Sequence, residues 1–113
     1  MSYTQLFKPV QFGKLTVPNR IQRTSQVTGL ATEDGHVTSD IKERYIREAQ
    51  GGVGSLVVEA AVVSPSRSSY NLRISDDTFT AELKELFDAI RDCNSETKVG
   101  LQIMHFLKIS KSG

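Results

Sequence analysis

The sequence predicts an α/β fold built on a parallel sheet, and three observations carry that prediction. Strand-like and helix-like segments alternate, with strands starting near residues 20, 55 and 98. One of them, Ser55 to Val63, is a near-continuous apolar run rich in β-branched residues, the pattern of a strand covered on both faces. After it, Phe79, Leu83, Leu86, Phe87 and Ile90 form a stripe at the helical period. Right-handed crossovers set strands joined in this way side by side in one sheet.

The elements follow in order. Val10 and Phe12, then Leu15 and Val17, alternate on either side of Gly13-Lys14, which predicts a short hairpin. Pro18 blocks further pairing. Arg20 to Val27 is an extended candidate of mixed polarity, and Glu33-Asp34-Gly35-His36 has the chemistry of a turn. Thr38-Ser39-Asp40 supplies N-cap residue types, Ile41, Tyr45 and Ala49 recur on one helical face, and Gly51-Gly52 stops the helix, so a helix is placed at about 39–50. The buried strand ends at Ser64-Pro65, and 64–75 reads as a serine-rich polar loop too long for a simple connector. A second helix starts at Asp76-Asp77-Thr78 and ends at Asn94-Ser95. Lys98 to His105 is the last strand, with Val99, Leu101 and Ile103 on one face and Gly100, Gln102 and Met104 on the other.

Composition excludes several classes. The 113 residues carry 14 Lys plus Arg against 13 Asp plus Glu, a net charge of +1 that gives no electrostatic reason for a nucleic-acid or anionic-membrane partner. No apolar run approaches the ~20 residues of a membrane span, and the N-terminus has no secretory apolar core. Cys93 is alone, so no internal disulfide forms. A cytosolic protein is the expectation. The length admits one domain with a modest core.

Few motifs carry chemistry. Gly51-Gly52-Val53-Gly54 lies after a helix and before a strand, the reverse of a phosphate-cradling loop, and reads as a tight turn. Ser95-Glu96-Thr97-Lys98 matches an acyl-enzyme S-x-x-K pattern but does not open a helix. His36, His105 and Cys93 lack ligand spacing, so no metal site is expected. Gln102 is an amide within an apolar strand and needs partners. It carries both a donor and an acceptor, which suits the edge of a heterocycle; neighbouring backbone would satisfy it equally well. Glu59, near the end of the buried strand, reads as a carboxylate that ties loops together.

Taken together, Leu6-Phe7-Lys8-Pro9, Gly13-Lys14-Leu15, Asn19-Arg20-Ile21, Gly29-Leu30-Ala31-Thr32-Glu33-Asp34-Gly35, Gly51-Gly52-Val53-Gly54, Val58-Glu59-Ala60, Val63-Ser64-Pro65 and Leu101-Gln102-Ile103-Met104-His105 resemble the N-terminal part of the Old Yellow Enzyme-like NADH:flavin oxidoreductases, in particular their enoate- and dienoyl-CoA-reductase branch. Each piece is weak alone, and their order and spacing are specific. The resemblance implies a (β/α)8 barrel with a hairpin over its N-terminal end. It also implies FMN at the C-terminal ends of the strands, with hydride passing from NAD(P)H to an unsaturated small-molecule substrate. Active sites of such barrels lie at those strand ends.

By the same resemblance, Gln102 matches the glutamine that hydrogen-bonds the pyrimidine edge of the isoalloxazine. Ala60 matches the small residue whose backbone approaches the ring near its carbonyl edge. Ser25, Gln26 and Val27 match the segment that packs on the ring. Many members have proline where Ser25 stands and threonine or cysteine where Val27 stands, so a contribution from Val27 has to come from its backbone N–H. His105 resembles the histidine of a Gln-x-x-His stretch, but Phe106-Leu107-Lys108 stand where the family runs on to small-Gly-Arg. No catalytic role is assigned to His105.

A barrel of this type runs to ~250 residues. The family's substrate-anchoring His/Asn or His/His pair, its tyrosine proton donor and its phosphate-binding loops all follow later strands, so none is expected within 113 residues. The expectation is therefore an incomplete FMN-binding domain over 1–113, whose parent is an ene-reductase-type oxidoreductase. The competing reading is a truncated non-catalytic product, or one piece of a split barrel needing a second chain or a homo-oligomer. Three parallel strands alone expose both sheet edges and one apolar face, which predicts poor solubility or partial unfolding of the isolated chain.

Overall fold

The structure is a computed structural model that describes residues 3–65 and 70–105. The sequence readings on Phe106 to Gly113, and on 66–69 of the serine-rich loop, lie outside the described residues.

The hairpin forms as its alternation predicts. β1 (Val10–Phe12) pairs antiparallel with β2 (Leu15–Val17), with Val10 opposite Val17 and Phe12 opposite Leu15. Gly13 makes the turn at φ +58°, a region where a side chain is strained. β3 is regular only over Gln22–Arg23, shorter than the extended segment expected over 20–27.

Helix α1 (Ser39–Gln50) begins where the cap chemistry places it. The Thr38 hydroxyl accepts the Ile41 N–H at 3.2 Å, satisfying one of the donors that a helix start leaves free. Its apolar stripe, Ile41, Tyr45 and Ala49, is fully buried. The turn that follows is pinned by Asn19. The Asn19 Nδ2 donates to Gly52 O at 2.7 Å, and Gly54 N donates to Ile21 O at 3.0 Å. A Cβ on Gly54 would overlap the Asn19 carbonyl oxygen and lie 2.7 Å from Asn19 Oδ1. The close approach of two backbones is what demands glycine there.

β4 (Ser55–Val62) is the central strand. β6 (Lys98–Met104) runs parallel along one of its edges, from Ser55 opposite Lys98 to Val62 opposite Met104. The other edge is shared: β3 pairs with Ser55 and Leu56 at one end, and a two-residue strand, β5 (Leu72–Arg73), pairs with Ala61 and Val62 at the other. All of these pairings are parallel. The register slips between Val58 and Ala61, so Glu59 and Ala60 sit at an irregularity in the ladder. β5 was not expected inside the polar loop.

A 3-10 turn over Asp77–Phe79, capped by Asp76, leads into α2 (Thr80–Cys93), whose Leu83, Leu86 and Ile90 are buried. Both helices cover one face of the sheet. Ile41, Tyr45 and Ala49 of α1 join Leu56, Val58 and Ala61 of β4 and the α2 stripe in one core, with Val99 and Leu101 of β6 packed against it. Ile103, expected to share that face, is 65% exposed at the outer end of β6. Among the described residues, no helix is long and apolar enough to cross a membrane.

Candidate flavin-facing site

Because Ala61, Val99 and Leu101 turn to the helices, period-two alternation turns Ala60, Gly100 and Gln102 to the opposite face of the sheet. Gln102 is exposed there, not buried beneath the helical layer. Its position along β6 is opposite the Glu59–Ala60 irregularity. Ala60 itself is 1% exposed.

Ser25 reaches the same face. After Arg23 the chain leaves the ladder, and the Ser25 hydroxyl donates to Gln102 Oε1 at 2.5 Å. β3 and β6 flank β4 on opposite edges, so this bond spans the central strand. Gln26 and Val27 are exposed beside it, Val27 by 46%. The structure thus joins Ser25 to Gln102 directly, sets Ala60 in the floor between their strands, and leaves the Gln26 and Val27 side chains open.

The segment is held from behind by Glu59. This carboxylate is fully buried and accepts from Thr28 N at 3.1 Å, from Thr28 Oγ1 at 2.8 Å and from Tyr45 Oη at 3.3 Å. Tyr45 Oη in turn accepts the Glu59 N–H at 2.8 Å, the donor that the ladder irregularity leaves free. Burial pushes the Tyr45 phenol up to about 12, and the nearby Glu59 charge adds to the rise. The Arg23 guanidinium lies 5.1 Å from the centre of the Tyr45 ring and pairs with Glu48 at 2.9 Å. The loop-tying role read for Glu59 is its role here. Thr28 and the hydroxyl of Tyr45 carried no separate sequence signal.

A second polar cluster lies on the helical side. His36 Nδ1 is 2.9 Å from Glu82 Oε1, and the ring stacks on Phe79 at 4.7 Å. It fastens the 28–38 loop to α2. Hydrogen bonds from the Thr32 hydroxyl hold the Asp34 carboxyl below its ordinary range, and the Thr78 hydroxyl and N–H do the same for Asp76. His105 is exposed at the end of β6. Among the described residues, no group of three or more His, Cys, Asp or Glu is placed to hold a metal ion.

The open face fits the polar edge of a flat heterocycle. It offers a carboxamide with donor and acceptor, and a small residue where the ring would approach backbone. The described residues do not fit a phosphate. The α1 start is occupied by Thr38 with Asp40 in its first turn, and the turn into α2 begins at Asp76 and Asp77. Carboxylates at a helix start repel an anion that the free N–H groups would otherwise attract.

Known proteins resemble the chain over most of its length. The chain is 32% identical over 106 residues to an NADH oxidase of Thermoanaerobacter brockii, covering 91% of this chain and 16% of that protein. It is 35% identical over 105 residues to an NADPH dehydrogenase of Geobacillus sp. (strain WCH70), covering 90% of this chain and 30% of the relative. It superimposes on the old yellow enzyme homologue of Zymomonas mobilis with a TM-score of 0.78 and 26% identity, over 90% of this chain and 28% of that one. The chain therefore spans less than a third of the length of each of these proteins. Hairpin, parallel strands and helices together form the N-terminal part of a (β/α)8 barrel. The model of the NADH:flavin oxidoreductase / NADH oxidase family matches residues 5–111, and the chain belongs to that family.

Proposed function

We propose that this chain supplies the ring-facing part of an FMN site in an NAD(P)H-dependent oxidoreductase that reduces activated C=C bonds. The observation that supports it is the Ser25–Gln102 pair on the open sheet face opposite the helices, with Ala60 between their strands. Gln102 would hold the pyrimidine edge of the ring, Ala60 would let the ring approach the strand, and Ser25 to Val27 would line one side. When bound, FMN accepts hydride from the nicotinamide and delivers it to the substrate. The chain's own part is to orient the ring and to exclude water from the side covered by β4. A cytosolic setting belongs to this reading.

A second observation bears on how the activity is assembled. Among the described residues, the outer edge of β6 carries no strand, and Ile103 is exposed beside it. Parallel edges of this kind are covered in working barrels. The proposed site therefore needs further βα units, from the same polypeptide or from a second one. An open reading frame past Gly113 supports the first source; a stop followed by a separate frame with the remaining strands supports the second.

The test is reconstitution. The chain is co-expressed with the later βα units of the Geobacillus NADPH dehydrogenase, and flavin content and NADPH-dependent reduction of 2-cyclohexenone are measured. Flavin retention that falls in Gln102→Ala, with loss of enone reduction, supports the proposal. Full flavin retention in that variant refutes it. Stoichiometric uptake of FMN by the purified chain alone refutes the statement that the phosphate is held elsewhere.

A further inference from the structure

Both nitrogens of the His36 ring face a carboxylate. Nδ1 lies 2.9 Å from Glu82 Oε1 on α2, and Nε2 lies 3.5 Å from Asp34 Oδ2 in its own turn. A neutral imidazole carries one N–H, so in either tautomer the other nitrogen turns a lone pair toward a carboxylate. An imidazolium donates to both. Two further charges act on the cluster: Asp76, which caps the 3-10 turn, interacts with the ring, and Arg73 of β5 interacts with Asp34. The Thr32 and Thr78 hydroxyls hold the Asp34 and Asp76 carboxyls below their ordinary range, so both acids stay ionised while the ring changes charge.

The ring sits on a small turn that is closed on itself. Thr32 N donates to His36 O at 3.1 Å, Gly35 N donates to Thr32 O at 3.0 Å, and His36 N donates to Thr32 Oγ1 at 2.8 Å. The ends of the turn are fixed: Ala31 is buried in the core, and the Thr38 hydroxyl donates to Leu30 O at 2.7 Å. Between those ends the attachments are few. Glu82 Oε1 takes His36 Nδ1 and also the Val37 N–H at 3.4 Å, Arg73 N donates to Gly35 O at 3.1 Å, and the ring stacks on Phe79. Beneath the ring, Phe79 is buried.

We propose that His36 is a proton-operated latch: the charged ring fastens the 32–37 turn to α2 through Glu82 and braces it through Asp34, and the neutral ring lets the turn lift off Phe79. The latch stands apart from the flavin-facing side of the sheet and is independent of the reading given there. It is fastened on the acid side of neutrality and loosens as pH rises through the range in which an imidazole changes charge. The ring is 38% exposed, so solvent screens the ion pairs, and the turn is expected to open about two- to fivefold more often when the ring is neutral.

The experiment follows amide exchange by mass spectrometry in the full chain at low concentration, at about pH 5.5 and about pH 8, with each rate normalised to the intrinsic rate at that pH. Segment 32–37 is compared with α1, in wild type and in the His36→Gln and Glu82→Gln variants. Protection of 32–37 that falls about two- to fivefold from the lower to the higher pH in wild type, with α1 unchanged and with no fall in His36→Gln, supports the latch. No fall in wild type overturns it. An equal fall in His36→Gln overturns it, because another group then titrates. An equal fall in α1 overturns it too, because the loosening is then global. Should His36→Gln leave α1 unprotected, Glu82→Gln decides: a fall of wild-type size overturns the latch, and a smaller one with α1 still protected supports it.

Discussion

Replacing Tyr45 by phenylalanine tests the core of the site in a single atom. The ring stays the same size, so packing under β4 is kept, and only the hydroxyl is removed. In the structure that oxygen accepts the Glu59 N–H at 2.8 Å and donates to Glu59 Oε1 at 3.3 Å. Both residues are fully buried, so water does not replace what is lost. Leaving a buried backbone N–H unpaired costs about 1–3 kcal/mol; the longer bond to Oε1 adds little, because Glu59 keeps both bonds from Thr28, and a net loss of about 2 kcal/mol is expected. With a urea m-value of about 1.5 kcal/mol/M, that loss lowers the unfolding midpoint by roughly 1.3 M. The assay is urea unfolding followed by far-ultraviolet circular dichroism at two low protein concentrations, so that self-association is detected. Hydrogen exchange at the Glu59 amide provides a local check, since its protection should drop more than that of Leu56. An unchanged midpoint with the Glu59 amide still protected would refute the claim that Tyr45 carries this part of the ladder.

Three further outcomes follow from the same framework. The Tyr45 phenol is raised from 10.0 to about 12, so the folded state holds that proton more tightly than the unfolded chain does. Its contribution is fully present below pH 10 and is lost as pH climbs toward 12, so alkaline unfolding should be steeper in wild type than in Tyr45→Phe; equal slopes would count against it. Gly54→Ala should destabilise by about 2–3 kcal/mol by forcing Asn19 off its turn, while Gly100→Ala, whose added Cβ meets only Val57 at 3.9 Å, should melt close to wild type. The isolated chain should self-associate through its exposed Phe12, Leu15 and Ile103, seen as a sedimentation coefficient that rises with concentration; a monomer with slow-exchanging amides throughout 55–60 and 99–104 would contradict this.

Local chemistry made much of the fold legible. The boundaries of α1 follow from Thr38 as acceptor and from Gly51-Gly52, and the hairpin follows from alternation about Gly13. The burial of β4 follows from its unbroken apolar run. β5 had no such signal, because two residues show no period, and Leu72–Arg73 become a strand only by meeting Ala61 and Val62. The extended segment after Pro18 is regular for just two residues, since Ser25 and Thr28 are drawn to Gln102 and Glu59, far off in sequence. Ile103 obeys the alternation of β6 and still remains exposed, because burial depends on a neighbour that alternation cannot supply. At the site, the residue types of Gln102 and Glu59 marked them from sequence. The Ser25 partnership is a product of tertiary approach and is visible only in the folded chain.

The inner side of α1 is committed: Tyr45 is locked to Glu59 and overlaid by Arg23, which in turn holds Glu48. Arg44 also reaches Glu48, at 3.6 Å, whereas Glu43 and Arg47 are exposed and pair with each other at 3.1 Å. The helix thus behaves like a wall whose interior is fitted and whose exterior is free to be repainted. Solubilising charges, purification handles or fluorescent labels belong on that outer surface, where a change of residue leaves the ring-facing strap undisturbed.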